Sequence, residues 1–320
     1  MSAAAAGPSR EPAGAALLRR AAAPVILPDP PPPPEPMGLI AAGGRLPIIV
    51  ARGMRERGHP VRCLGLSGQY DPELPGLCDE FTEVGALRLG RWGRRLRALG
   101  VSFAVMVGRV DKARIMHSWT QILRNRPDLR TARVWFRLSR DRRSHIILSS
   151  IADELARDGV HLIDSTAHIP DHLATTGPMT RTQPTPRQRT DIAMGWPILM
   201  EMLRLDIGQA ISVRESDVVA VEAVEGTDRM IRRSGELCKS PGWTLLKGAR
   251  AGHDRRADVP TVGPDTVRRM HEAGGRCIAL ASGDVIIIDK PDTLALADEL
   301  GIAMLGVPTS PAGAADLDDL

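Results

Sequence analysis

From Met37 onward, the hydrophobic positions of the chain fall into short apolar runs separated by amphipathic stretches. The apolar runs have the length of buried strands and lie at residues 37–42, 61–66, 101–107 and 160–163. The stretches between them have helical spacing and include residues 46–57, 91–99 and 144–158. Strands that alternate with helices predict a parallel sheet with helices on its faces. We therefore expect a Rossmann-like N-terminal domain over residues 37–166.

The alternation stops at residues 167–189, where four prolines among turn-forming residues predict a linker. Beyond it, strands are predicted at residues 208–213 and 218–224, as a hairpin about Glu215 and Ser216, and at 243–247 and 302–307. Two further strands are predicted at 276–281 and 284–288, on either side of a Ser282-Gly283 turn. Helices are predicted at residues 191–205, from about 227, at 265–273 and at 291–300. These elements indicate a C-terminal α/β domain over residues 190–307, followed by a loose tail at 308–320. The predicted fold class is α/β, with two domains.

Residues 1–36 are rich in Ala and Pro and include five consecutive prolines, Pro30 to Pro34. A segment without apolar periodicity cannot bury enough surface to offset the entropy of ordering it, so we predict a disordered extension. Arg19 and Arg20 interrupt the apolar stretch that a signal peptide would need. We expect Met37 to be the natural start of the protein.

The composition of the 320 residues excludes several classes of protein. It is 43% hydrophobic and 25% charged, which is ordinary for a globular chain. No apolar run approaches the length that crosses a bilayer. The four cysteines form no CxxC pair, which argues against a zinc or iron–sulfur site and fits a reducing, cytoplasmic compartment. An aromatic content of 3% is too low for a platform that stacks single-stranded nucleic acid.

Positive charge is concentrated in one segment. Residues 88–143 contain sixteen Lys and Arg against three Asp, a formal charge of +13 in a chain whose net charge is +4. Such a block favours an anionic partner, either phosphate, nucleic acid or an acidic lipid surface, although a solvated basic face is equally compatible with it. Within the block, Ile115, Trp119 and Ile122 recur at helical spacing, as in an interfacial helix or in an ordinary core-facing one.

Two short motifs are candidates for phosphate chemistry. Gly43 and Gly44 follow the first predicted strand, where glycines let backbone N–H groups approach an anion, although a plain tight turn also explains them. Further along, Gly226 permits a bend, and Thr227 and Asp228 open a predicted helix. Both are favoured as N-caps. An acid at the end of a strand in an α/β domain is also placed to hold a divalent metal or to orient an attacking water.

The segment 247–266 combines paired charges with Gly and Pro, which is typical of a binding loop and also of a solvent-exposed one. Its cations are candidates to neutralise phosphate, and its acid and hydroxyl are candidates to position the substrate. The candidate residues in this segment are Lys247, Arg250, Arg255, Asp258 and Thr266.

Four segments together resemble one known family. They are GLIAAGGRLP at residues 38–47, LDIGQ at 205–209, EGTD at 225–228, and a loop that ends in D-x-PTxG-x-x-T at 258–266. In this order and spacing they are similar to the UDP-2,3-diacylglucosamine pyrophosphatases of the lipid A pathway that lack a metallophosphoesterase fold. The resemblance covers about residues 37–307.

The resemblance implies hydrolysis of UDP-2,3-diacylglucosamine to UMP and 2,3-diacylglucosamine 1-phosphate, with Mg²⁺ or another divalent cation. It implies a substrate cleft between the two domains and makes Asp228 the essential carboxylate, either as a metal ligand or as the group that activates water. The candidate substrate-binding residues are Gly43, Gly44, Thr227, Lys247, Arg250, Arg255, Asp258 and Thr266. Because the substrate resides in a membrane, we expect weak peripheral association with its anionic inner surface.

Two segments depart from the family pattern. Residues 250–253 read Arg-Ala-Gly-His where Lys-Pro-Gly-Gln is usual, which keeps a cation. Residues 143–145 read Arg-Ser-His where Gly-Asp-Asp is usual, which removes two carboxylates. The alternatives are therefore a nucleotide-sugar-binding homologue with weakened catalysis, and a nucleic-acid-binding protein that uses residues 88–143. We adopt the hydrolase and expect no nucleic-acid partner.

Overall fold

The computed structural model describes residues 26–110, 127–137, 144–250, 252–256 and 259–309. The α-helices of these residues are Leu46–Glu56 (α1), Leu89–Ala98 (α2), Leu129–Arg137 (α3), Ser144–Arg157 (α4), Pro186–Arg204 (α5), Thr227–Leu237 (α6), Pro264–Glu272 (α7) and Lys290–Glu299 (α8). Their strands are Met37–Ala41 (β1), Val61–Leu66 (β2), Glu80–Val84 (β3), Phe103–Val107 (β4), His161–Leu162 (β5), Gly177–Pro178 (β6), Ala210–Arg214 (β7), Asp217–Val221 (β8), Trp243–Lys247 (β9), Thr261–Val262 (β10), Gly275–Ala281 (β11), Ile286–Ile287 (β12) and Ala303–Val307 (β13). Among the helices of the described residues, none is both long and apolar enough to cross a bilayer.

The N-terminal half forms a five-stranded parallel sheet in the order β3-β2-β1-β4-β5. β1 lies at its centre and is buried at every position, so apolar side chains cover both faces of the strand. The chain first builds outward from β1 to β3 and then returns to β4 on the other side of β1. In such a sheet, ligands bind outside the carboxyl ends of the strands where the strand order reverses, here between β1 and β4.

The C-terminal half forms a second sheet in the order β6-β13-β11-β9-β7-β8, in which β13, β11 and β9 are parallel and β7 is antiparallel to both its neighbours. The predicted hairpin of β7 and β8 is present. Its two turn residues, Glu215 and Ser216, have φ values of 51° and 59°. Two successive positive φ values match the turn whose twist suits a two-residue hairpin. The expected α/β fold class is therefore confirmed.

The segment predicted as a linker is more ordered than expected. Helix α5 begins inside it, because Thr185 and Gln188 form a reciprocal capping box. Strand β6 also lies inside it and pairs antiparallel with β13. Residues 177–178 and 186–189 are therefore part of the second sheet and its helical cover, while the division of the chain into domains stays a prediction.

Strand β12 differs from its prediction. Residues 284–288 were expected beside β11, across a Ser282-Gly283 turn, but β12 pairs in parallel with β10 in a separate two-stranded sheet. Ile286 packs into the apolar cluster that also contains Met37 and Ile48, so the C-terminal half supplies a side chain to the N-terminal core. Apolar content predicted a buried strand, but it could not indicate against which sheet the strand is buried.

The end of the predicted disordered extension also has defined contacts. Pro31 is buried, and the carbonyl of Glu35 accepts a 2.9 Å hydrogen bond from Nδ1 of His59. Pro31 and Glu35 at the end of the predicted extension therefore contact the fold, and disorder over residues 1–36 as a whole stays a prediction. Residues 1–25, the apolar stripe at 115–122 and residues 310–320 lie outside the described part of the chain.

Candidate active site

The second sheet brings two buried charged residues to one edge. Lys247 ends β9 and pairs in register with Ala210, the first residue of the antiparallel β7. Glu222 follows β8 directly, and its backbone N–H donates to the Ala210 carbonyl at 2.9 Å. Because β8 and β9 both run opposite to β7, their carboxyl ends lie on either side of Ala210. Glu222 and Lys247 therefore flank the same residue, although they are 25 positions apart.

A hydroxyl connects these two charges. Nζ of Lys247 donates to Oγ1 of Thr227 at 2.7 Å, and the Thr227 hydroxyl lies 2.9 Å from Oε1 of Glu222, to which it donates. Thr227 reaches this position because Gly226, with a φ of 83°, turns the chain sharply into α6. The N-cap is Gly226, and no side chain of the described residues caps the helix. The hydroxyl of Thr227 therefore bonds to the charged pair and not to the helix end.

Burial sets the electrostatics of this edge. Lys247 is 6% exposed and Glu222 is 8% exposed. Burial lowers the pKa of Lys247, because a low-dielectric environment disfavours the charged amine. Glu222 and Asp228 oppose that effect and raise the pKa, whereas Arg109 adds to it. Carboxylates thus support the charge on this buried lysine.

Asp228 lies beside this chain of hydrogen bonds. It is the second residue of α6, where the N-terminal end of the helix dipole favours a negative group. Its Oδ2 lies 3.4 Å from Nη1 of Arg269 on α7, and both side chains are about half exposed, which makes this a weak ion pair. Oδ1 has no hydrogen-bond partner in the described part of the chain. The carboxylate borders a groove of about 380 Å³ between α6 and α7.

The first sheet presents backbone at its carboxyl edge. Gly43 and Arg109 follow β1 and β4 and exchange two backbone hydrogen bonds, at 3.0 Å and 2.8 Å. A Cβ on Gly43 would come within 2.9 Å of the Gln69 carbonyl oxygen, so only glycine fits there. Gly44 has a φ of 96° and open space around it. Arg109 lowers the pKa of Lys247, so the carboxyl edges of the two sheets lie within electrostatic reach of each other, and we call them the facing edges.

Comparison with known proteins identifies the chain. Residues 36–172 match the model of the LpxI N-terminal domain, and residues 175–305 match that of the LpxI C-terminal domain. The UDP-2,3-diacylglucosamine pyrophosphatase LpxI of Caulobacter vibrioides is 31% identical over 286 residues, which are 85% of this chain and 97% of that protein. The chain belongs to the LpxI family. The family resemblance that the EGTD segment and its companions predicted is confirmed.

Not every predicted substrate-binding residue of this LpxI family member lies at the facing edges. The Arg255 guanidinium contacts Asp164 and Asp284, each at 2.7 Å, and Oγ1 of Thr166 at 2.8 Å. The N–H groups of this guanidinium thus connect the segment after β5, which holds Asp164 and Thr166, with the turn after β11, which holds Asp284. The geometry favours a structural clamp between the two halves, and a role of Arg255 in binding phosphate stays a prediction that this geometry does not support.

The remaining predicted residues have different surroundings. Arg250 borders a cavity of about 150 Å³ and has no side-chain hydrogen-bond partner in the described ranges. The cavity is lined by Leu203, Asp206, Ile207, Gly208, Gln209, Ala249, Arg250, His253 and Asp254. Thr266 is held at the start of α7, where its Oγ1 accepts from the Gly263 N–H at 3.5 Å. Asp258, and the side chains of Ser144 and His145, lie outside the described residues.

The described side chains fit a divalent cation in one way only. No three His, Cys, Asp or Glu among them are placed together as a metal site made wholly of protein would require. Magnesium, however, is commonly held by one or two carboxylates, with phosphates and water completing its shell. Asp228, whose Oδ1 is unpartnered in this part of the structure and whose carboxylate borders the groove between α6 and α7, fits that arrangement.

The sequence pattern did not indicate two members of the site. Glu222 was not predicted, because its meaning depends on the pairing of β7 with β8 and β9. Arg109 was counted only as one charge of the basic segment. A local signal for it existed, since Gly108 and Arg109 directly follow an apolar strand, as Gly43 and Gly44 do.

Proposed function

We propose that the protein hydrolyses the pyrophosphate bond of UDP-2,3-diacylglucosamine and releases UMP and 2,3-diacylglucosamine 1-phosphate. The observation that carries this proposal is the match of both LpxI domain models, which together take in residues 36–172 and 175–305. The curated relative, named for this activity, aligns over 97% of its own length. The geometry of the facing edges supplies the groups that such a substrate needs.

Lys247 is the main cation for the pyrophosphate. An ammonium group has three N–H donors, and one of them is directed to Thr227. The other two have no partner in the described part of the chain and are available to phosphate oxygens. Because Lys247 is buried at the sheet edge, its charge acts in a low-dielectric environment, where it stabilises developing negative charge more strongly than a surface lysine does.

The first sheet supplies the opposite wall of the proposed cleft. The open space around Gly44, which has a φ of 96°, allows a substrate to approach the main chain closely there. The N–H of Gly43 is already donated to the Arg109 carbonyl, so Gly43 shapes this wall and does not donate to the substrate. Arg109 has no side-chain partner among the described residues and lies within electrostatic reach of Lys247. We assign the phosphate-bearing part of the substrate to the space between these residues and Lys247, with Arg250 at its margin.

Asp228 is the residue that would hold the divalent cation or the attacking water. A bound Mg²⁺ supplies charge neutralisation at the phosphate oxygens. Placement at the N-terminal end of α6 keeps the carboxylate close to Thr227, and thus close to the Lys247 ammonium. Removal of divalent cations with a chelator is expected to stop turnover, and addition of Mg²⁺ is expected to restore it.

The direct test is turnover of the purified full-length protein. Incubation with UDP-2,3-diacylglucosamine and Mg²⁺ should release UMP and the diacylglucosamine phosphate in equal amounts, measured by chromatography and mass spectrometry. Absence of both products, or release of UMP without the lipid phosphate, contradicts the proposal. Comparison with a UDP-sugar that lacks acyl chains checks that the lipid is part of the recognised substrate.

We also propose weak peripheral association with the cytoplasmic face of an anionic membrane. The support is the basic segment 88–143, together with helix α3 inside it, on which Leu129 is 88% exposed and Phe136 is 82% exposed. These two positions are seven residues apart and lie on one helix face. Co-sedimentation with vesicles should rise with the fraction of anionic lipid and fall with salt. Equal binding to neutral vesicles contradicts this part of the proposal.

A further inference from the structure

We propose that Glu222 is a positioning residue of the catalytic site, which keeps the Lys247 ammonium charged and directed at the substrate phosphates through the Thr227 hydroxyl. The inference rests on the proposed function, since it takes Lys247 as the cation for the pyrophosphate. Glu222 lies outside the EGTD segment, and its role follows from contacts that only the folded sheet creates.

The surroundings of Glu222 are unusual for a carboxylate. It is 8% exposed, and its Oε1 is the acceptor for the Thr227 hydroxyl. Its Oε2 is buried and has no hydrogen-bond partner in the described part of the chain. Burying a carboxylate that is only partly satisfied costs free energy, so a fold that keeps it there needs a compensating interaction. Lys247 is the buried cation that the Thr227 hydroxyl connects to it.

The hydrogen bonds of this chain have a defined direction. An ammonium group can only donate, and an ionised carboxylate can only accept. Thr227 has a single hydroxyl proton, which therefore goes to Glu222, while a lone pair of the same oxygen accepts from Lys247. The orientation of the lysine is thus set from Glu222, and its remaining two N–H groups are directed away from Thr227.

Of the two carboxylates that act on Lys247, Glu222 has the larger electrostatic effect on the lysine. Among the described residues, the charged groups that act on the lysine are Glu222, Asp228 and Arg109. Burial and Arg109 lower the pKa of Lys247, and Glu222 is the stronger of the two carboxylates that raise it. Asp228 is half exposed and lies near Arg269, so part of its charge is neutralised elsewhere. Without Glu222, the lysine would lose its proton at a lower pH.

The test is the pH dependence of kcat in Glu222→Gln, which keeps the shape and an oxygen acceptor but removes the charge. We expect the alkaline limb of its kcat profile to move to lower pH by about one unit. At pH values above the alkaline limbs of both proteins, kcat of the variant should be about tenfold below that of wild type, while kcat at acid pH is nearly unchanged. Glu299→Gln is the matched control, because it makes the same change at an exposed position, the last residue of α8. Its profile should coincide with that of wild type.

A second pair of variants covers the case in which Glu222→Gln does not fold. Thr227→Val removes the connecting hydroxyl and should shift the alkaline limb in the same direction, whereas Thr227→Ser should recover most of what is lost. A uniform loss of rate at every pH, or an unchanged profile in folded Glu222→Gln or Thr227→Val, overturns the proposal and leaves Glu222 a structural residue.

A binding measurement separates this inference from the proposed function. Calorimetric titration with inorganic pyrophosphate needs no turnover, and its affinity should decline at a lower pH in Glu222→Gln than in wild type. If wild type releases no UMP but the binding shift is present, the proposed function fails and the role of Glu222 stands. If wild type turns over and neither shift is present, the role of Glu222 fails alone.

Discussion

The two facing sheet edges are built in different ways. At the first edge, the backbone is crowded at Gly43 and open at Gly44, and the charge is carried by the exposed Arg109. At the second edge, Lys247 and Glu222 are buried charges connected by a hydroxyl. The first edge can recognise an anion through main-chain groups and shape, while the second concentrates charge where water is scarce. We therefore expect changes at the second edge to affect rate and changes at the first to affect binding.

The largest expected effect is at Lys247. Lys247→Met should lower kcat by about 10²–10³-fold, since a buried cation at a developing charge is lost. It should also lower the free energy of unfolding by roughly 3 kcal/mol, because Glu222 is left buried without its cation.

The double variant Lys247→Met/Glu222→Gln separates the two effects. Removal of both charges should recover most of the stability and none of the activity, measured by denaturant unfolding and UMP release. If the double variant is as unstable as Lys247→Met, or regains turnover, the second edge is not the charged centre that we describe.

A buried histidine in the N-terminal half contrasts with Lys247, because burial keeps the histidine side chain neutral. His168 is 1% exposed and neither ring nitrogen has a hydrogen-bond partner in the described residues. Burial, with smaller contributions from His59 and Arg57, lowers the pKa of His168 to about 4, from a usual value of 6.5. No carboxylate contributes to its shift, whereas carboxylates support the charge on Lys247.

The low pKa of His168 predicts a loss of stability in acid. Between pH 6.5 and 4 the unfolded chain binds more protons at this residue than the folded chain, so the free energy of unfolding should fall as the pH falls through that range. The contribution is at most about 3 kcal/mol and is complete near pH 4. His168→Leu should flatten this dependence in unfolding experiments, while His161→Gln, at an exposed position, should keep it. An equally steep dependence in His168→Leu contradicts the assignment.

The smallest expected effects are at the glycines of the first edge. Gly44→Ala places a side chain in open space but at a φ of 96°, and should cost about 1 kcal/mol of stability. Gly43→Ala places a Cβ 2.9 Å from the Gln69 carbonyl oxygen, so the backbone must shift. We expect Gly43→Ala to raise KM more than it lowers kcat. A fall in kcat at constant KM would show that this edge also acts on the rate.

Much of the fold was predictable because most strands are apolar runs at regular intervals. Strand β3 was missed, since it is an edge strand of sequence EFTEV in which only Val84 is buried. Strand β12 was expected in the wrong sheet, because apolar content does not indicate a partner. Disorder was expected over all of residues 1–36, since local composition does not reveal contacts such as that of Glu35 with His59.

The candidate site was predictable where it lies in short segments and not where it depends on pairing. Asp228, Thr227 and Lys247 were proposed from motifs that can be read locally. Glu222 can be recognised as part of the site only from the structure, in which β7 places it beside Lys247. The Arg255 guanidinium could not be distinguished from a phosphate ligand by sequence, because Asp164 and Asp284, its partners, are distant in the chain.

The central claim is that the second edge performs the hydrolysis, and one comparison tests it most directly. Asp228 and Asp265 are each the second residue of their helices, at the start of α6 and α7. Turnover of UDP-2,3-diacylglucosamine should be measured for Asp228→Asn and Asp265→Asn, each with a melting curve. We expect Asp228→Asn to fold and to lose at least about 10²-fold in kcat, while Asp265→Asn keeps nearly the wild-type rate. Equal, near-native turnover in both folded variants would contradict the account.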